Sequence, residues 1–330
     1  MRVYILGTSG TFPNKRRNHP SVFIEYKGVG IMFDCGEGTQ RQIRSLKIKP
    51  SKIKYIFLTH WHGDHILGLP GILFSLINMG YSEKLNIFIP RGYKKNLEYI
   101  LKGFGIEPNF EISIKELHDG KVLDDQEFEI YAKKVKHSIE TYSLYFKQKD
   151  YIKIDEKIAK ELGVFGDKKI LKKIKEGKTV EINGKKISYK DIGYIKKGIK
   201  VSYITDTLFF EDLIDFVKDS DILISESYYF YDPHLAKEHY HLDFIEVKNL
   251  FDRSNSKLLL LMHFSQRYDK EIEMIREKIE SENKNIYFLE DLSIIEYTRD
   301  TLKLNIGGKI VEYRRDEKTG DLKLISSQPQ

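Results

Sequence analysis

The amino-acid sequence predicts an α/β fold that is interrupted by a lysine-rich insert. Short β-rich runs alternate with helical stretches in the first part of the chain, and the same pattern resumes after residue 200. Residues 151–200 contain 15 lysines, no arginine and seven acidic residues, a surplus of eight positive charges. We therefore expect a packed α/β body that carries a basic, protruding arm.

The predicted elements of the body follow the apolar runs. Strands are predicted at residues 3–6, 21–26, 30–33, 55–58, 86–89, 128–135, 199–204, 221–226 and 257–262. Helices are predicted at residues 39–46, 93–104, 210–217 and 243–251. Residues 301–326 predict a C-terminal hairpin that turns at Gly307-Gly308 or at residues 318–320.

Composition restricts the class of protein. The chain of 330 residues has 55 Lys+Arg and 49 Asp+Glu, and the resulting charge of +6 permits a nucleic-acid partner without requiring one. Cys35 is the single cysteine, which excludes an internal disulfide and a cysteine-based zinc finger. The first residues read as a strand rather than a signal peptide, and no apolar run approaches membrane-spanning length. We expect a cytoplasmic protein without a membrane partner.

Three histidines and an aspartate lie within six residues, directly after the predicted strand at 55–58. In an extended segment His60 and His62 point the same way, because side chains repeat every two residues, so both can reach one metal ion. Asp64 and His65 follow where the chain turns toward a helix, and they can face a second ion. This spacing predicts a two-metal site.

This cluster cannot complete two metal shells, because a catalytic zinc usually takes three protein ligands and a water. His137, Asp206 and His263 each follow an apolar, β-like run, so each is placed where a strand ends. Any one of them alone would more often be a hydrogen-bonded loop residue. Their common context makes all three candidate ligands.

Several motifs identify a family that the chain resembles. They are Leu6-Gly7-Thr8, the segment Phe33-Asp34-Cys35-Gly36-Glu37-Gly38-Thr39-Gln40, the metal cluster with Gly68-Leu69-Pro70-Gly71, and His263-Phe264-Ser265-Gln266-Arg267-Tyr268. Over most of residues 1–295 the chain resembles the metallo-β-lactamase superfamily and, within it, the ribonuclease Z family. The resemblance implies an αββα four-layer sandwich of two mixed sheets with helices outside. It divides the chain into a first part of this domain (1–150), an inserted basic flexible arm (151–200), the second part (201–295) and a C-terminal extension (296–330).

The same resemblance implies two Zn²⁺ per subunit and a role for each ligand. It assigns His60, His62 and His137 to one ion, Asp64, His65 and His263 to the other, and Asp206 to a bridge between them. Asp34 would steady the cluster. Asp64 would also accept the proton of the attacking water, and Glu226 with His241 would protonate the leaving ribose oxygen. His239 and His234 lie close enough in sequence to leave that last assignment open.

The implied substrate is precursor transfer RNA. Family members remove the 3′ trailer, which leaves a 3′-hydroxyl on the tRNA and a 5′-phosphate on the trailer. They form homodimers in which the arm of one subunit clamps the RNA that the other cuts. The expected RNA contacts are Lys15, Arg17 and Asn18 in a Pro-x-Lys-x-Arg-Asn loop, Lys172, Lys173 and Lys175 in the arm, and Arg267.

Two other functions fit parts of the pattern. A metallo-phosphodiesterase for small phosphodiesters would keep the metal site but would not need a distant basic arm. A noncatalytic RNA-binding protein with a structural metal site would keep the arm but would need neither an open metal position nor Glu226. The full ligand set together with the arm favours the RNA enzyme. The identity of the metal stays open, because histidine and carboxylate sites also take manganese, cobalt or iron.

Overall fold

In a computed structural model, residues 1–182 and 184–328 of the chain are described. The β-strands are β1 (Arg2–Gly7), β2 (Ser21–Tyr26), β3 (Val29–Phe33), β4 (Ile53–Phe57), β5 (Leu85–Ile89), β6 (Ile112–Glu116), β7 (Gly120–Asp124), β8 (Phe128–Lys134), β9 (Tyr142–Gln148), β10 (Tyr151–Ile154), β11 (Val180–Ile182), β12 (Lys185–Ile187), β13 (Gly193–Lys196), β14 (Lys200–Ile204), β15 (Ile222–Glu226), β16 (Leu259–Met262), β17 (Ile286–Phe288), β18 (Ile294–Thr298), β19 (Thr301–Ile306), β20 (Lys309–Arg315) and β21 (Leu322–Gln328). The α-helices are α1 (Thr39–Ser45), α2 (Gly63–Ile66), α3 (Leu69–Asn78), α4 (Lys94–Gly103), α5 (Glu156–Glu161), α6 (Lys168–Lys175), α7 (Tyr189–Ile192), α8 (Asp212–Val217), α9 (Pro233–Glu238), α10 (Phe244–Arg253) and α11 (Ile272–Glu282).

Two large mixed sheets form the body. The first has ten strands in the order β21-β20-β19-β18-β1-β2-β3-β4-β5-β6, and the second has seven in the order β17-β16-β15-β14-β9-β8-β7. The inner faces of both sheets pack on each other through a buried apolar cluster that includes Val3, Phe33, Phe146 and Val201. Apolar side chains on such opposed faces supply most of the free energy of folding for a sandwich of this kind.

The helices cover the outer faces of the sheets. Residues of α1, α3 and α4 pack with the outer face of the first sheet, and residues of α8, α10 and α11 pack with that of the second. Helix α10 shows why the chain becomes helical there, because Asp243 and Glu246 form a capping box at its start. The predicted αββα sandwich is confirmed.

Parallel pairing brings several strand ends to one edge. Strands β14, β15 and β16 are parallel neighbours, and β8 runs in the same direction because it and β14 are both antiparallel to β9. Residues that follow these strands therefore emerge at a common edge of the second sheet. The end of β4 in the first sheet faces that edge, as the contact of Tyr142 N with Thr59 O shows at 3.0 Å.

Residues 151–200 leave the body and fold around a small core of their own. Strands β10 and β13 pair as a stem, β11 pairs with β12, and the apolar cluster of the segment consists of Ala159, Val164, Ile174, Ile187 and Ile192. Asp155 and Asp167 cap α5 and α6 by accepting backbone N–H groups. The arm is thus a small folded unit, which its lysine-rich sequence did not indicate. The boundaries of the four predicted parts stay predictions.

The C-terminal segment is larger than the predicted hairpin. Strands β19, β20 and β21 extend the first sheet, and the chain turns both at Gly307-Gly308 and between residues 316 and 320. Both of the turns that the sequence offered as alternatives are therefore used. No helix in the described ranges is long and apolar enough to span a membrane.

Candidate metal centre and active site

Seven predicted ligands come together where strands of the two sheets end. His60 and His62 follow β4, Asp64 and His65 lie in α2, and His137, Asp206 and His263 follow β8, β14 and β16. All except His62 and His137 are buried. These residues are far apart in the sequence, and the arrangement of the strands brings them together.

The first group of ligand atoms belongs to His60, His62, His137 and Asp206, which offer atoms within 4.8 Å of one another. His137 Nε2 lies 3.2 Å from His62 Nδ1, and His60 Nε2 lies 3.5 Å from Asp206 Oδ2. Three imidazoles and a carboxylate at this spacing match the ligand types and number that a zinc ion takes.

The second group belongs to Asp64, His65 and His263. His65 Nε2 and His263 Nε2 are 3.3 Å apart, and each lies 3.6 Å from Asp64 Oδ2. Asp206 Oδ1 lies 3.6 Å from His65 Nε2 and 3.5 Å from His263 Nε2. Asp206 thus turns one oxygen to each group, which is the arrangement of a bridging carboxylate.

Two buried atoms test whether metal ions fit this cluster. His60 Nε2 and Asp206 Oδ1 are buried and have no hydrogen-bond partner among the described residues. A buried polar atom without a partner costs about 1–3 kcal/mol, so a native chain rarely leaves it unpaired. Both atoms point into the ligand groups, and a bound cation would satisfy them. The residues present therefore fit a pair of metal ions.

Asp34 holds the cluster from below. Its carboxylate accepts hydrogen bonds from His65 Nδ1 at 2.8 Å, Tyr203 Oη at 2.9 Å, and the N–H and hydroxyl of Thr59 at 2.7 and 3.0 Å. The bond to Nδ1 leaves Nε2 of His65 available as a ligand. Asp34 itself has a φ of 58°, a left-handed conformation that non-glycine residues rarely adopt.

His60 and His137 are also held through their Nδ1 atoms, and His60 Nδ1 lies 3.0 Å from the hydroxyl of Thr59. His137 Nδ1 lies 3.0 Å from the carbonyl oxygen of Tyr240, to which it donates when Nε2 serves as the ligand. Burial lowers the pKa of His60 well below its ordinary value. Burial would raise the pKa of Asp206, but His263 and His65 hold it well below the usual range. Neutral imidazole and ionised carboxylate, the forms that bind a metal ion, are thus favoured at His60 and Asp206. At His65 burial lowers the pKa, but the carboxylates of Asp206 and Asp34 raise it well above its ordinary value.

Glu226 and His241 form a buried pair beside the ligands. His241 Nδ1 lies 2.9 Å from Glu226 Oε2, while Glu226 Oε1 accepts the N–H groups of Thr207 and Leu242 at 2.8 and 3.2 Å. Burial raises the pKa of Glu226 and lowers that of His241, so the pair favours forms with little net charge. The ring of Tyr228 stacks on His241 with centroids 4.1 Å apart.

The structure places the two other candidate histidines differently. His234 is exposed in α9, and His239 is an exposed residue at the end of that helix. Only His241 of the three has its ring bonded to Glu226 in the described structure. This favours His241 for the predicted proton transfer, which stays a prediction.

An open cleft of about 460 Å³ lies over the ligand cluster. Its walls include Asp64, His137, Asp206 and His241 together with Thr11 and Tyr228. Sequence patterns had not singled out Thr59, Tyr203, Tyr228 or Tyr240, because these residues act through contacts that only the tertiary structure brings about. The cleft opens the metal ligands to a substrate from outside.

The predicted RNA contacts are placed unequally. Lys15 is exposed, but Arg17 is buried, and its guanidinium donates to Thr8 Oγ1 at 3.0 Å and to the carbonyl of Leu289 at 2.9 Å. Asn18 is also buried and accepts a hydrogen bond from Arg41 at 2.8 Å. Arg17 and Asn18 thus hold the loop that presents Lys15, and direct RNA contact by these two side chains stays untested.

The other predicted contacts lie at the surface. Arg267 is about half exposed, with its guanidinium 5.8 Å from the ring centroid of Tyr229, which lines the cleft. Lys172, Lys173 and Lys175 are exposed on α6 of the arm. All four of these cationic side chains are exposed, and a side chain must be exposed to contact a phosphate of bound RNA.

Known proteins resemble this chain in sequence and in structure. A family model described as "Anti-Pycsar protein Apyc1" matches residues 1–280. Ribonuclease Z of Nanoarchaeum equitans is 44% identical over 91% of this chain and 94% of that relative, and ribonuclease Z of Sulfurisphaera tokodaii is 39% identical over 83% and 90%. The short form of human tRNase Z superposes with a TM-score of 0.66 at 22% identity, covering 91% of this chain and all of the human one.

Relatives at this identity that align over nearly their full length share more than a fold with the chain. The human structure, at 22% identity, supports the metallo-β-lactamase fold alone. The archaeal sequences carry the family assignment, and the ligand cluster described above fits a family of metal-dependent enzymes. The chain therefore belongs to the ribonuclease Z family of metal-dependent endoribonucleases.

Proposed function

We propose that this protein removes the 3′ trailer from precursor tRNA, leaving a 3′-hydroxyl on the tRNA and a 5′-phosphate on the trailer. The observation that carries the proposal is Asp206, whose two oxygens face two separate groups of histidines at the floor of an open cleft. Such a floor suits a phosphodiester, because the scissile phosphate can approach both groups at once.

The residues fit two zinc ions, one held by His60, His62 and His137 and the other by Asp64, His65 and His263, with Asp206 between them. When bound, the two ions supply an activated water and a positive field for the scissile phosphate. Asp34 fixes the orientation of His65 through its 2.8 Å hydrogen bond. The count and the identity of the metals belong to this proposal.

The chain's own groups would handle the protons. Asp64 lies in the wall of the cleft, where its carboxylate can accept the proton that the attacking water releases. His241 is held through Nδ1 by Glu226, which leaves Nε2 to carry a proton to the departing ribose 3′ oxygen. Glu226 fixes the ring and stabilises its protonated form during the transfer.

Two basic surfaces would bind the RNA backbone. Lys15 is exposed in the loop between Thr11 and His19, two residues that line the cleft. Arg267 lies beside Tyr229, which also lines it, while Lys172, Lys173 and Lys175 are exposed on the arm. None of these three arm lysines lines the cleft, which suits a folded RNA whose stem lies away from the phosphate that is cut. Arg17 and Asn18 would support the loop of Lys15. A homodimer in which the arm reaches the RNA bound by the partner, and a cytoplasmic location, complete the proposal.

The direct test is cleavage of a precursor tRNA with a 3′ trailer by the zinc-loaded protein, with both product ends mapped. One cut at the 3′ side of the acceptor stem, with a 3′-hydroxyl on the tRNA, is the expected result. Asp64→Ala should abolish the cut, while Asp212→Ala, which removes an exposed aspartate, should not. Absence of any cut by the loaded wild-type protein would overturn the proposal.

A small-diester phosphodiesterase is the second candidate. The open cleft admits a small substrate, and the arm lies outside it. Hydrolysis of bis(4-nitrophenyl) phosphate or a cyclic nucleotide by a preparation that leaves precursor tRNA intact would favour this candidate. Cleavage of both substrates at the same metal site would agree with the RNA enzyme.

A further inference from the structure

The C-terminal extension contacts the base of the arm through a compact group of charged side chains. Glu317 lies in the turn between β20 and β21, and its carboxylate accepts hydrogen bonds from three side chains of the arm's stem. Lys153 Nζ lies 2.6 Å from Glu317 Oε2, Lys196 Nζ lies 2.7 Å from Oε1, and the hydroxyl of Tyr194 also donates to Oε2. One residue of the extension thus joins both strands of the stem.

The position of these donors is what makes the contact specific. Lys153 is on β10, where the chain enters the arm, while Tyr194 and Lys196 are on β13, where it returns. Strands β10 and β13 pair antiparallel with each other but with no strand of either large sheet. Within the described residues, the stem therefore joins the body through its two chain connections, through the backbone hydrogen bond from Gln148 N to Ile199 O at its base, and through side-chain contacts.

Lys196 is a buried member of this group. Only 4% of Lys196 is exposed, and its ammonium also lies 2.9 Å from Asp300 Oδ1 at the start of the extension. A buried lysine is rare unless it is paired. Burial would lower the pKa of Lys196, but the hydrogen bonds to Glu317 and Asp300 raise it. The extension supplies both carboxylates that keep this cation charged.

Arg315 adds a second connection, between the C-terminal extension and the segment that joins the stem to β14. Its guanidinium donates to the carbonyls of Lys197 and Gly198 at 3.1 and 3.3 Å and to Asp221 at 2.5 Å. Lys197 and Gly198 connect the stem to β14, and Asp221 immediately precedes β15. Arg315 therefore ties the returning chain to the start of β15 in the second sheet.

We propose that the C-terminal extension is an anchor that sets the direction of the arm, with Glu317 as its principal positioning residue for RNA. This inference rests on the proposed function, since it requires that the arm bind precursor tRNA. An arm that is held in one direction binds precursor tRNA with higher affinity, because it loses less conformational freedom on binding. Small substrates that reach only the cleft should not sense it.

The test compares Glu317→Gln with Glu312→Gln. Both variants remove one negative charge from the same hairpin, but Glu312 pairs with Lys303 inside the extension, at 3.1 Å, rather than with the arm. We expect Glu317→Gln to raise KM for precursor tRNA by about threefold to tenfold, which corresponds to the net free energy of one ordinary hydrogen bond, because the glutamine can still accept hydrogen bonds. Its kcat, and its hydrolysis of bis(4-nitrophenyl) phosphate, should match those of Glu312→Gln.

Limited trypsin digestion supplies a readout that does not depend on RNA. The arm holds most of its lysines at the surface, so a loosened stem should speed cleavage within residues 151–200 of Glu317→Gln relative to Glu312→Gln. Equal KM values and equal digestion of the two variants would overturn the inference, and so would a parallel fall in diester hydrolysis, which indicates general damage. If wild-type protein fails to cut precursor tRNA, the proposed function fails first and the inference with it.

Discussion

The metal-ligand cluster and the arm both take part in the proposed reaction, but the chain holds them in different ways. The predicted ligands lie where strands of the two packed sheets end, most of them are buried, and Asp34, Thr59 and Tyr240 hold three of the histidines. The arm has its own five-residue buried core and meets the C-terminal extension through a few side chains. The large core therefore fixes the ligand positions, whereas the proposed binding of RNA by the arm depends on local contacts.

The largest loss of activity is expected from a change at Asp206, the proposed bridging ligand. Asp206→Asn keeps the size of the side chain but removes the charge that faces both histidine groups. Because lost metal binding forfeits several kcal/mol of charge stabilisation, we expect cleavage to fall at least about a thousandfold. Metal content by atomic emission should fall with it. Asp212→Asn, an exposed change, should retain both properties, and a fully metallated Asp206→Asn would contradict the assignment.

The proposed proton donation by Glu226 and His241 should be separable from metal binding. His241→Ala and Glu226→Gln should each lower kcat for precursor tRNA by about 10²- to 10⁴-fold, the usual contribution of a general acid, with metal content preserved. The exposed neighbours His234 and His239 provide matched alanine controls, measured in the same cleavage assay. If His239→Ala loses activity while His241→Ala keeps it, the role belongs two residues earlier.

A smaller effect is expected at Asp34, which contacts the predicted ligand His65 and is not itself a predicted ligand. Asp34→Asn removes the charge that holds His65 and leaves three other donors without their full acceptor. We expect metal affinity to weaken by about 10- to 100-fold, as for other groups that orient a ligand. Competition with a chelator measures this change. Retention of wild-type affinity would show that the fold alone orients His65, and would sharpen the contrast with the arm further.

The sequence predicted the site better than the arm for a physical reason. The segment that starts at His60, and likewise Asp206 and His263, each follow an apolar run, so strand recognition alone placed these predicted ligands at strand ends. The family resemblance supplied their grouping. The roles of Tyr203 and Tyr240 could not be predicted, because nothing local distinguishes a tyrosine that supports a ligand from one that fills a core.

In the arm, the lysine-rich composition prevented the prediction of a folded core. Lysines so dominate residues 151–200 that the sparse apolar positions around Ile174 and Ile192 gave little periodic signal, although they form a core. The burial of Arg17 also lay beyond local patterns, because its acceptors include Leu289, far along the chain. The Glu317 contacts were missed for the same reason, since they join segments more than 100 residues apart.

The mildest predicted change concerns the lysines of α6. Replacing Lys172, Lys173 and Lys175 with alanine should raise KM for precursor tRNA. It should also lower the slope of log affinity against log salt by about one for each RNA phosphate that a lysine no longer neutralises. Neither kcat nor hydrolysis of bis(4-nitrophenyl) phosphate should change, because the cleft is untouched. Binding measured at several salt concentrations gives the slope directly.

A matched control uses three exposed lysines of the body. Lys94, Lys95 and Lys102 lie in or beside the exposed part of α4, and their replacement removes the same total charge. If the loss of charge alone weakened binding, both triple variants would shift KM and the salt slope equally. A shift confined to the α6 variant requires the arm lysines to contact the RNA from their particular position. Equal shifts of KM and of the salt slope would mean that the arm acts only as a diffuse source of positive charge and makes no specific contact with the RNA.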